Sequence, residues 1–68
     1  MGVNLTDDLI VDRHHPLSGV VVAALRDGQH QGEGTPAMMA RAVKAVLVTE
    51  PTMTITDAYH LVNRLWVG

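Results

Sequence analysis

A chain of 68 residues has room for one small core, since a domain of about 60 residues buries only about 60% of the surface its unfolded chain exposes. It contains no cysteine, which excludes disulfides, thiolate metal sites and a cysteine nucleophile, and no stretch approaches the roughly 20 apolar residues of a membrane-spanning helix. The net charge of −2 argues against a general phosphate binder, because DNA-binding domains gather an excess of Lys and Arg.

Residues 1–15 read as a turn or short helix. Thr6 stands where it can cap a first turn made negative by Asp7 and Asp8, with Leu5, Leu9 and Ile10 directed inward. His14-His15-Pro16 ends it, because a residue before proline leaves the helical region, and Pro16 can open the next helix. That helix is expected over 16–27. Its stripe is Leu17, Val20, Val21, Ala24 and Leu25, with Arg26 in the last turn and Gly28 as the stop. Gly19 and the β-branched run Val20-Val21-Val22 keep a strand open as the rival for 17–25.

Residues 28–34 hold three glycines and no apolar side chain, the composition of a mobile connector outside the core. They lack the Gly-Lys-Ser/Thr ending of a phosphate loop, and Glu33 would repel an anion. Thr35-Pro36 then predicts a helix start, with Thr35 as cap, and Glu50-Pro51 predicts its end, so the central helix spans 35–49. Met38, Met39, Ala42, Val43, Ala45, Val46, Leu47 and Val48 wrap most of its circumference, leaving Arg41 and Lys44 as a polar stripe. A helix this apolar is either central or covered by another chain.

The last helix is expected over 54–67, capped by Thr54 with Asp57 three positions on, or by Thr56. Ile55, Ala58, Tyr59, Val62, Leu65 and Trp66 are assigned to its apolar face, with Tyr59 and Trp66 anchoring the core. The whole is an all-α fold, a compact bundle of three main helices in one domain, with a short extra N-terminal helix as an option.

No catalytic, cofactor or metal site is expected. His14, His15, His30 and His60 lack the i, i+4 spacing that puts two imidazoles on one helix face, and Ser18, the single serine, sits at a helix start where capping accounts for it. What remains is interaction with protein. A central helix with more apolar surface than two short neighbours can cover predicts self-association, as a dimer, through Met39, Val43, Val46 and Leu47 with Leu65 and Trp66. The reading is a small cytoplasmic helical module that modulates or scaffolds a larger protein. The preference for Arg over Lys, beside many Ala, Val and Gly, suits a bacterial or bacteriophage accessory protein.

The alternative is a nucleic-acid-binding regulator of helix-turn-helix type using Arg41, Lys44 and Arg64. In its capping threonine, acid, alanine and leucine, Thr54–Val62 loosely resembles the first helix of an excisionase-type or regulator-type winged helix, which implies DNA binding. Those residues suit any capped amphipathic helix, and the 49–53 connection is longer than a tight helix-turn-helix turn, so the resemblance assigns no family.

Overall fold

Local hydrogen bonding sets the ends of each helix in the computed structural model, which describes Val11, Asp12 and residues 14–66. The turn expected over 1–15, with its cap Thr6, lies almost wholly outside the described residues. The described chain is an all-α bundle of α1 (Ser18–His30), α2 (Thr35–Thr49) and α3 (Ile55–Leu65). Among the described residues the one extended pairing is an isolated antiparallel bridge between Val11 and Trp66, supported by the Asp12 amide donating to the Leu65 carbonyl at 2.9 Å.

Helix α1 begins two residues later than expected. Pro16 lies in the turn before it, where the Ser18 amide donates to the His15 carbonyl and the Leu17 amide to His15 Nδ1. The valine run is helical. Val21 and Val22 are buried and Val20 half-buried, so tertiary packing overrides their β preference.

The larger correction is at the far end, where Gly28 does not stop the helix. It is buried inside α1, and a Cβ there would lie 2.7 Å from Met38 Cγ, so this glycine marks a close approach of α1 to α2. The stop falls at Gly32, whose φ of +73° suits a residue without a Cβ. The Glu33 amide donates to the Gly28 carbonyl and the Gly32 amide to that of Gln29. These two bonds make a Schellman motif. The glycine segment is therefore a built helix terminus that adds to the core, and not a free connector.

Helix α2 is capped by Gly34 in extended conformation, with Thr35 and Pro36 already inside its first turn and no side-chain cap, so Thr35 does not serve as the cap. It ends as expected at Thr49. A turn with Pro51 follows, in which the Met53 amide donates to the Glu50 carbonyl at 3.0 Å. Helix α3 is capped by Thr54 Oγ1, which accepts from the Asp57 amide at 3.0 Å; Thr56 is inside the helix. Asp57 in the first turn and Arg64 in the last both complement the helix dipole.

Helix α2 is the middle element and packs against both neighbours, more extensively against α1. The core joins Val21 and Leu25 of α1, Ala42 and Val46 of α2, and Ala58, Val62 and Leu65 of α3, with Val11 and Leu17 closing its ends. Trp66 is half-buried against this core, while Tyr59, expected to anchor it, is 49% exposed.

Candidate functional site

The angular position of each residue around α3 decides what that helix hides. Ala58, Val62 and Leu65 form the inward row and are buried. Ile55, Tyr59 and Asn63, each one turn apart, drift around the helix to its flank. Ile55 is 70% exposed and Asn63 is exposed.

That flank meets the side of α2 that carries Pro36, Met39, Ala40, Val43, Lys44 and Leu47, and the two enclose an open groove of about 340 Å³. A second hollow, lined by Thr35, Pro36, Met39, Tyr59 and Asn63, continues it toward the start of α2. Lys44 is the one charged residue lining either hollow. A small-molecule site normally brings several polar groups together around its ligand. This groove does not, and its chemistry is that of a surface for apolar side chains.

The expected interface residues divide between the groove and the interior. Met39, Val43 and Leu47 line the groove, Val43 as a buried floor and the other two half-buried. Val46 and Leu65 are 0% and 1% exposed inside the core, so neither can meet another chain while the fold is intact. The reason is the α1–α2 approach at Gly28 and the packing of α3, which together cover the α2 row containing Val46. Trp66 is half-buried beside Val11, at the end of α3.

Ile55, expected on the apolar face of α3, and Tyr59, expected to anchor the core, are instead the groove's exposed edge. Asn63 carried the available signal. The row Ile55–Tyr59–Asn63 ends on a polar residue, whereas Ala58–Val62–Leu65 is apolar throughout.

The basic residues of the alternative reading have unequal surroundings. Arg41 binds two carboxylates: its Nε donates to Glu33 Oε1 at 3.0 Å, its Nη2 to Glu33 Oε2, and its Nη1 to Asp27 Oδ2 at 2.7 Å. The hydrogen bonds from Arg41 hold the Glu33 carboxyl below its ordinary value of 4.5, with the guanidinium charge adding to the effect and burial opposing it. The Schellman turn places Glu33 for this, so Arg41 ties the end of α1 to α2 and spends its donors inside the chain. The side chains of Lys44 and Arg64 are exposed on different helices and make no hydrogen bond or ion pair among the described residues. The structure thus gathers no basic face from Arg41, Lys44 and Arg64.

Among the described residues no three of His, Cys, Asp and Glu converge as a metal site would require. His60 meets the Tyr59 ring edge-on at 6.2 Å, and His14 is an exposed turn residue whose amide donates to Asp12 Oδ1. No described helix is long and apolar enough to cross a membrane. Compared with known proteins, the chain matches no family model, no curated protein and no solved structure.

Proposed function

We propose that this protein is a small helical protein-interaction module and that the groove between α2 and α3 is its working surface. The carrying observation is the pair Ile55 and Tyr59, 70% and 49% exposed, standing over half-buried Met39 and Leu47. Burying a side chain of this kind completely contributes about 1.5–3 kcal/mol. Covering the four together supplies a driving force of the size that small interfaces use, and single large apolar residues in a central pocket commonly dominate such binding. A role modulating or scaffolding a larger protein fits a chain this short, and a cytoplasmic setting fits one without cysteine. Self-association as a dimer draws on the same face.

The test is a double variant, Ile55→Ser with Tyr59→Ser, which removes exposed apolar surface and leaves the core intact. Wild-type and variant baits, matched in helicity by circular dichroism, are compared for proteins captured from the native host and for mass by sedimentation. The expected result is a bound partner or a dimer that the variant loses. A variant that keeps every association of the wild type, or a wild type that binds nothing and stays monomeric at every concentration, overturns the proposal.

A further inference from the structure

Lys44 separates the two faces of α2. It lines the α3-side groove and also the shallow depression on the α1 side, which contains Val20, Ala23, Ala45 and Val48. One turn earlier Arg41 is neutralised by Asp27 and Glu33, so among the described residues the charge left on the groove is that of Lys44 alone. A cation standing in an otherwise apolar groove favours an occupant with a carboxylate opposite it.

The lining of α2 runs from Pro36 to Leu47. At 1.5 Å per residue this is about 16 Å, or three helical turns. A second copy of this chain fits poorly. A two-fold pairing through the groove would set Lys44 of each copy on the same interface, with an axial offset of roughly 8 Å, and the groove lining holds no carboxylate to answer either charge.

We infer, resting on the reading of the groove as the working surface, that its occupant is an amphipathic helix of a partner protein. About three turns of that helix lie between α2 and α3. Its apolar residues at i, i+4 and i+7 pack against Met39, Leu47, Ile55 and Tyr59, and an Asp or Glu beside them pairs with Lys44. This is helix-in-groove recognition, in which apolar anchors supply affinity and the charge selects register and partner.

The probe is a stapled helical peptide of about 14 residues, long enough for three turns plus its ends, with Leu at i, i+4 and i+7 and Glu flanking them. The staple matters because a free peptide this short is barely helical. A matched peptide has Lys for each Glu. Both are titrated into the isotope-labelled full chain and followed by amide chemical shifts.

The acidic peptide is expected to shift the amides of residues 36–47 and 55–59 and to bind about tenfold tighter than the basic one, with Lys44→Glu reversing that order. Lys44 is exposed, so the variant keeps the fold, which circular dichroism checks. Equal binding of the two peptides, or a preference unchanged by Lys44→Glu, overturns the acidic partner and leaves the groove reading standing. Shifts outside the groove, or none with either peptide, overturn both. A chain that sediments as a dimer and takes up no peptide shows a second copy in the groove and likewise overturns this inference.

Discussion

The two sides of α2 face similar helices and are finished differently. Toward α1 the contact is clamped: Gly28 lets the backbones approach, Val21 and Leu25 are buried with Ala42 and Val46, and Arg41 ties the rim to Asp27 and Glu33, although a shallow hollow with exposed Val48 lies outside it. Toward α3 the inner row is equally well packed, yet Ile55 and Tyr59 stay outside it and the groove lies open. A clamped side serves stability, and the α3 side has no ion pair of this kind among the described residues. The contrast puts an ion-pair clamp on one flank of the 15-residue α2 and the apolar groove on the other.

That contrast breaks most visibly under truncation. Leu25→Ala, at a fully buried site, is expected to destabilise the fold by about 3 kcal/mol. Ile55→Ala on the groove flank should change stability by no more than about 0.5 kcal/mol. Urea denaturation of both variants is the check, and comparable losses would mean that the α3 flank is as structural as the α1 side.

The glycines of α1 sharpen the comparison at the next scale. Gly28→Ala gains helix propensity but drives its Cβ against Met38, which is itself buried, and should cost about 1 kcal/mol net. Gly19→Ala, with nothing within 4 Å of the added atom, should stabilise by about 0.5 kcal/mol. Opposite signs for one substitution at two positions of one helix, read from thermal melts, would establish the close approach; equal signs would refute it.

The Arg41 clamp has the smallest expected effect. Because the Glu33 carboxyl is lowered in the folded state by its hydrogen bonds to Arg41, its contribution is complete above the ordinary value of 4.5 and is lost as pH falls from there through the folded value. Stability measured against pH should therefore fall less steeply on the acid side in Glu33→Gln than in the wild type. Identical slopes would show that the clamp adds nothing.

Much of this molecule is readable without coordinates where a rule acts over a few residues. The helical period of Leu17, Val20, Val21, Ala24 and Leu25, the Thr54 cap with Asp57 three positions on, and the Glu50-Pro51 stop are local, and the structure has them, with Leu17 as the residue that opens α1 and Val20 half-buried. The exposure of the residues expected at an interface was not legible. Met39, Val43 and Leu47 line the groove, but Val46 and Leu65 are core residues, because an apolar residue on an apolar helix does not announce which neighbour will cover it.

Composition and periodicity by themselves determined the second and third helices, their approximate spans and an apolar middle one, and left a strand open as the rival over 17–25, where the structure has α1. Tertiary structure alone decided that Gly28 is a point of close approach while Gly32 ends the helix, that Arg41 is spent on Asp27 and Glu33, and that Ile55 and Tyr59 remain uncovered. The physical reason is range. Caps and periods are satisfied within a few residues of chain, whereas burial depends on which helix arrives on which side, and α2 presents apolar side chains to more directions than two short neighbours can fill.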